Sequence, residues 1–276
     1  NRLEHVKKHR LIIVVFLLIL SFKFYLIFFA HNPNDYIYSD MLGYVNRAAE
    51  VLSSKEKSHL YSFFPPGYHF FLFVVAYLGK PVISYPAINL LLSVFMIIAF
   101  YKLARVFVKR EIALVATFIV GILFKLNITY GYYLSENLFI PLTLVGFYLF
   151  FLYLTKSRGL YLLAASLLFG IASITRGEGV IIFLLVLGYL FFSVKKSNLV
   201  LTLSLVLFLL IILGESLYMS QIAGRPTFIS NNSGVNSTIG WCKLQGVVSN
   251  YPPGYEYVYY STPGPKFGFN KMYETD

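Results

Sequence analysis

The chain has 276 residues, of which 58% are hydrophobic and 13% charged, with a formal net charge of +11. No water-soluble globular domain carries that much apolar surface, and the long apolar runs assign a polytopic, all-α membrane protein. The positive charge does not mark a nucleic-acid partner, because the basic residues sit in short clusters between apolar runs and not along one face.

The single Cys242 excludes an internal disulfide framework and a cysteine-based metal cluster. The chain begins at Asn1 and stops in a polar segment with no closing helix, which points to a piece of a longer or processed protein. Arg2, Lys7, Lys8 and Arg10 precede the first apolar run and place the N-terminus in the cytoplasm. The run Leu11–Ala30 is too long for a signal-peptide core and has no small-residue cleavage site after it, so it reads as a retained helix. Its core, Leu11–Phe29, matches the ~20 residues needed to cross ~30 Å of hydrocarbon.

The polar, acidic stretch Tyr36–Leu52 therefore falls on the far side, in a first external loop spanning about residues 31–81. Within it Met41, Val45, Ala48 and Leu52 share one helical face, while Asn46, Arg47 and Glu50 fall elsewhere. That pattern predicts a helix lying on the membrane surface. A polar turn at Lys55–His59 follows, and Phe63-Phe64-Pro65-Pro66-Gly67 breaks any helix. Tyr68–Leu78 is wholly apolar but reaches only about 16 Å as a helix, about half a bilayer, so it reads as a second interfacial or partly inserted helix. Counting it as a span would put Lys102, Arg105, Lys109 and Arg110 outside the cell, against the charge rule.

The remaining spans are predicted at about 82–101, 112–129, 134–154, 160–175, 179–194 and 198–214, making about seven in all. Basic turns then alternate with polar ones: Lys102 to Arg110, Lys156 with Arg158, and Lys195 with Lys196 lie inside, and 127–137 and 176–179 lie outside. Residues 1–214 form the membrane domain, and 215–276, rich in Tyr, Pro, Gly, Asn and Ser, read as an external segment. The scarcity of cysteine suits a bacterial or archaeal plasma (inner) membrane.

Three polar clusters converge on the external face: Asp35 and Asp40, Ser135-Glu136-Asn137, and Arg176-Gly177-Glu178-Gly179. An ionisable group at the edge of an apolar helix is costly unless it meets a wet cavity or a partner, so each is a candidate site. Asp40 is either a functional acid or, like Ser39, a cap for a helix starting at Met41. Glu136 is either a site residue or an acid favoured by the helix dipole. Arg176 either snorkels or binds an anion such as a lipid phosphate, with Glu178 as its ion-pair partner. Asp35 reads as a solvated loop residue, and His59 and His69 match no strong metal-ligand spacing. Asn127, Asn231 and Asn236 open glycosylation-type triplets, the first too near the membrane to serve.

The ordered set resembles the C-type (GT-C) superfamily of integral-membrane glycosyltransferases, in particular the branch of protein O-mannosyltransferases and bacterial aminoarabinose transferases of lipid A. Asp40-Met41-Leu42-Gly43-Tyr44 is similar to the family's Asp-Glu-x-x-Tyr motif, with Met in place of Glu. Pro65-Pro66, Tyr101-Lys102-Leu103-Ala104-Arg105, Ser135-Glu136-Asn137-Leu138 and Thr175-Arg176-Gly177-Glu178 follow in the family's order over about residues 10–195.

The resemblance implies two surface helices in the first external loop and transfer of a sugar from a polyprenyl-phosphate donor to an acceptor hydroxyl on a lipid, glycan or protein. It implies Asp40 as general base and Tyr44, Glu136, Arg176 and Glu178 as substrate-binding residues. A divalent metal as cofactor is left open by Met41 and by Phe63-Phe64 before Pro65. No Gly-rich phosphate loop is visible, in keeping with a lipid-borne donor. Two alternatives stand beside this reading: a transporter or flippase for a lipid or anion, which would place its polar residues at mid-membrane, and a non-catalytic subunit of a glycan-assembly complex.

Overall fold

Helix α1 (Arg2–Tyr25) grows from a run without glycine or proline and passes into a π turn at Leu26–Ala30. In this computed structural model, residues 2–37, 39–53, 57, 59–193 and 198–230 are described, and every regular element among them is helical. The Lys195–Lys196 turn and residues 231–276, with Asn231, Asn236 and Cys242, lie outside the described residues, as does the side chain of His59.

The first loop folds as two helices, α2 (Ser39–Leu52) and α3 (Pro66–Leu78). Both sit where the sequence predicts them, and Pro66 opens α3 because its missing N–H would be unpaired there in any case. The buried face of α2 differs from the expected one. Met41 and Ala48 are buried, but Leu52 is exposed and Arg47, expected on the wet side, is only 5% exposed. The reason is tertiary: the Arg47 guanidinium lies over the Phe64 ring, 4.8 Å from its centroid.

Five longer apolar segments follow. They are α4 (Pro81–Phe107), the broken pair α5 (Arg110–Ile122) with α6 (Phe124–Asn127), α7 (Glu136–Lys156), α8 (Gly159–Thr175) and α9 (Glu178–Ser193), before α10 (Asn198–Ala223) closes the bundle. Four described helices are long and apolar enough to cross a membrane, five if the bent pair is one span. Helices α8 and α9, of 17 and 16 residues, reach only about 25 Å, short of a ~30 Å hydrocarbon core. The expected number of about seven spans is therefore not reached by length, although seven apolar segments occur in the expected order.

Two boundaries moved for identifiable reasons. The span predicted at 112–129 bends by 64° between Ile122 and Phe124. Asn127 takes up the carbonyls released there, donating to Val120 O at 3.0 Å and Leu123 O at 2.8 Å, while Lys23 of α1 donates to its Oδ1. A fully buried Asn127 with three such bonds is a structural pin, not a glycan acceptor. Helix α10 continues past residue 214 to Ala223, and two of the polar residues in that extension, Ser216 and Ser220, are used internally. Ser216 donates to Phe228 O, and Ser220 Oγ accepts from Thr227 N at 2.8 Å, folding residues 224–230 back along the helix.

Packing divides into two apolar cores, one joining α1–α4 and the 130–138 segment, the other joining α7–α10. Large apolar side chains such as Leu17, Leu185 and Leu210 stay exposed on the outer faces of α1, α9 and α10, as a lipid-facing surface requires. Helix α8 lies between α7, α9 and α10, and α3 docks against its end. That docking depends on Gly67: a Cβ there would lie 2.6 Å from Thr175 Oγ1 and 2.8 Å from both Ile174 O and Thr175 N. Because two of those atoms are backbone, Gly67→Ala is expected to destabilise the fold by about 1–3 kcal/mol, read as a lowered thermal midpoint.

Candidate active site

Each side chain of the site stands where an element begins or ends. Asp40 lies in the first turn of α2, inside the helix and not before it as a cap. Ser39 before it has φ +49, a left-handed backbone that costs a non-glycine residue about 1–3 kcal/mol and sets the angle at which α2 starts. Glu136 opens α7, where a carboxylate is favoured by the helix dipole. Arg176 is the extended residue closing α8, its N–H donating to Ala172 O at 2.8 Å. Gly177 then turns the chain so that Glu178 opens α9, with Gly179 N donating back to Arg176 O at 3.0 Å.

These ends meet around one cavity of about 510 Å³, lined among others by Asp40, Tyr44, Phe64, Ser135, Arg176 and Glu178. Arg176 is its electrostatic centre. Its Nη1 sits 2.6 Å from Glu136 Oε1 and donates to Ser135 Oγ at 3.2 Å, and its Nη2 sits 3.0 Å from Glu178 Oε1. Burial acts to lower the Arg176 pKa, but Glu136 and then Glu178 outweigh it, so the guanidinium is held charged. Burial likewise acts to raise Glu178, and the Arg176 hydrogen bond and charge outweigh that, leaving its pKa below the ordinary value.

Asp40 behaves in the opposite way. Desolvation is the largest influence on it and the Glu136 charge the second; together they raise its pKa against the pull of Arg47 and Arg176. Its carboxylate is exposed to the cavity, yet protein surrounds it closely enough for that desolvation to prevail. A second cavity of about 250 Å³, lined by Ser39, Asp40, Met41, Tyr132 and Leu134, touches its other side.

Tyr44 is buried, tilted against Phe64 with centroids 4.8 Å apart and edge-on to Tyr68 at 4.9 Å. Burial raises its pKa and a hydrogen bond with Ser135 opposes that, so its phenol stays protonated as a donor or packing element.

Of the residues expected from sequence, Asp40, Tyr44, Arg176 and Glu178 come together on the cavity, and Glu136 joins them through Arg176. Asp35 does not: it is exposed in the short 3₁₀ turn Pro33–Tyr36. His69 is fully buried, edge-on to Tyr61 at 4.7 Å, and burial lowers its pKa well below the usual histidine range. Met41, standing where the related motif has Glu, is packed into the core. Among the described residues no group of three or more His, Cys, Asp or Glu side chains could hold a metal ion. Of the carboxylates around this cavity, Glu136 and Glu178 are engaged by Arg176, and Asp40 faces the cavity without an ion pair of its own among the contacts of Arg176.

Sequence reasoning missed Arg47, whose burial depends on Phe64, and the wall formed by Phe228, Ile229 and Ser230. The apolar pair Phe228-Ile229 in an otherwise polar tail was the available signal for that wall.

Residues 64–216, more than half of the chain, match the family described as dolichyl-phosphate-mannose-protein mannosyltransferase. The chain belongs to this family. Its fold is similar to that of the Archaeoglobus fulgidus oligosaccharyltransferase in two crystal structures. One is tethered with an acceptor peptide containing the NVT sequon (TM-score 0.56, 14% identity, 90% of this chain and 36% of that one). The other is the apo form (TM-score 0.58, 12% identity, 94% and 40%). This chain thus spans well under half the length of those structures. No curated protein sequence matches it. Family and fold together place it among the C-type integral-membrane glycosyltransferases, as a multi-pass membrane protein.

Proposed function

We propose that this cavity is the active site of a glycosyltransferase that moves a sugar from a polyprenyl-phosphate donor to an acceptor hydroxyl on a lipid, glycan or protein. The observation that carries the proposal is the meeting of Asp40, from the surface helix α2, and Arg176, from the end of the apolar helix α8, on one cavity. A donor on a polyprenyl tail diffuses only within the bilayer, so its reactive head must be met at such a place. The family description, with its dolichyl-phosphate mannose, names a donor of that class.

Asp40 acts as general base, taking the proton of the acceptor hydroxyl as that oxygen attacks the anomeric carbon. Its raised pKa makes it a stronger base than an ordinary aspartate. Arg176 faces the leaving phosphate, whose negative charge grows as the glycosidic C–O bond breaks. Glu136 and Ser135 hold the guanidinium in position for that role.

The cavity faces away from the cytoplasm in this reading. Helix α7 starts at the cavity with Glu136 and ends about 30 Å away at Lys156. Phe107, at the end of α4, packs on Phe151 near that far end, at 4.6 Å between centroids, which brings Arg105 there as well. Basic residues thus gather at the end opposite the cavity, and by the charge rule that end is the cytoplasmic one.

The test uses full-length protein in nanodiscs with a panel of polyprenyl-phosphate sugars and an acceptor-containing membrane extract. Release of polyprenyl phosphate matched by labelled acceptor is the expected result. Folded protein that releases none from any donor would favour a transporter or a non-catalytic subunit.

A further inference from the structure

Arg176 is not open to an incoming phosphate on every side, because two carboxylates already hold it. They are not equivalent. Glu136 lies at 2.6 Å with 35% of its side chain exposed, beside the buried Ser135, whose hydroxyl is 3.4 Å from its second oxygen. Glu178 lies at 3.0 Å with 58% exposed, and it lines the cavity itself. It follows Gly177, beside which a Cβ would meet nothing within 4 Å. Among the charged groups that act on Asp40 and Arg176, the carboxylates of Asp40, Glu136 and Glu178 outnumber the guanidiniums of Arg176 and Arg47. An anionic donor head therefore enters a site of net negative charge unless one carboxylate yields.

We infer that Glu178 is an internal stand-in for the donor phosphate. It occupies the outer face of Arg176 in the empty site and is displaced when the phosphate arrives, while Glu136 keeps the guanidinium in place. This rests on Arg176 being the phosphate ligand. The exchange replaces one anion by another on the same cation, so Arg176 has the same number of anionic partners before and after. Because Glu178 is more than half exposed, its release into water is easy. The same competition acts on the product: Glu178 returning to Arg176 helps the polyprenyl phosphate leave. Glu178 is in this sense a positioning and release residue, and not itself a contact of the substrate.

The experiment measures the affinity of full-length protein in nanodiscs for farnesyl phosphate, with farnesol as the phosphate-free control. Glu178→Gln should bind farnesyl phosphate about three- to five-fold tighter than wild type, the scale of an exposed ion pair, and release it more slowly. Glu178→Ala should do the same, so that a folding defect in one variant leaves the other decisive. Glu136→Gln should weaken binding, because the guanidinium loses its anchor. Arg176→Gln should weaken it at least about ten-fold, as expected for loss of a charge-assisted contact. Farnesol binding should not change in any of them.

If Arg176→Gln weakens binding but both Glu178 variants leave it unchanged or weaker, Glu178 only orients the arginine and the inference fails while the phosphate assignment stands. If Arg176→Gln binds farnesyl phosphate as wild type does, the phosphate assignment fails and takes the inference with it.

Discussion

Asp40→Asn is expected to lower sugar transfer by about 10²- to 10⁴-fold, the range for removing a general base, with little change in the donor KM. The amide keeps the shape and the position at the first turn of α2 but cannot accept the hydroxyl proton. The pH profile gives the sharper readout. A base works when deprotonated, and the Asp40 pKa is raised, so the rising limb of kcat should lie above the ordinary aspartate value. Glu136→Gln should move that limb down, because it removes the second-largest cause of the raised value and frees the field of Arg176, which also lowers it.

Stability should respond in the opposite sense to activity. A carboxyl whose folded pKa lies above its unfolded one gives up stability as pH rises through the interval between the two. Asp40→Asn removes that loss, so its thermal midpoint at pH 7 should equal or exceed that of wild type. Transfer unchanged in Asp40→Asn, with the pH limb still present, would remove Asp40 from the base role while leaving the enzyme class untouched.

The parts of this site that the sequence discloses are those whose energetics are local. Glu136, Arg176 and Glu178 stand at the ends of apolar runs, where an ionisable residue is anomalous whatever it touches, and Asp40 stands in the acidic stretch that follows the first such run. The order of helices is legible for the same reason, since hydropathy needs no knowledge of neighbours. What escaped are features created by contacts far apart in the chain. Arg47 belongs to the wet face of α2 by periodicity and is buried only because Phe64 offers its ring. The bend at Leu123 has no proline to announce it and is stabilised by Asn127 together with Lys23, about a hundred residues away. The extension of α10 was hidden because Ser216 and Ser220 look like a helix end until Phe228 and Thr227 are seen to use them. Met41 shows the converse: periodicity places it on the apolar face of α2, and it is buried there although the related motif has Glu at that place.

Arg176→Gln is expected to lower kcat by about 10²- to 10³-fold, the loss found when one pre-placed group facing a developing negative charge is removed. The change also leaves Glu136 and Glu178 without their shared cation, close to Asp40. Arg176 is one of the groups that hold the Asp40 pKa down, so its loss should move the rising limb of the pH profile upward. Arg176→Lys should recover only part of the activity, because an ammonium lacks the planar fork that meets Glu136 on one nitrogen and Glu178 on the other. A purely structural role for this arginine would give a different pattern. Relief of the stranded carboxylate in Arg176→Gln/Glu136→Gln would then restore both the thermal midpoint and the rate. An electrostatic role in the reaction predicts that the double variant regains stability and remains slow, since the leaving phosphate still has no cation before it. Thermal unfolding and single-turnover transfer, measured on the same four proteins of the cycle, separate the two.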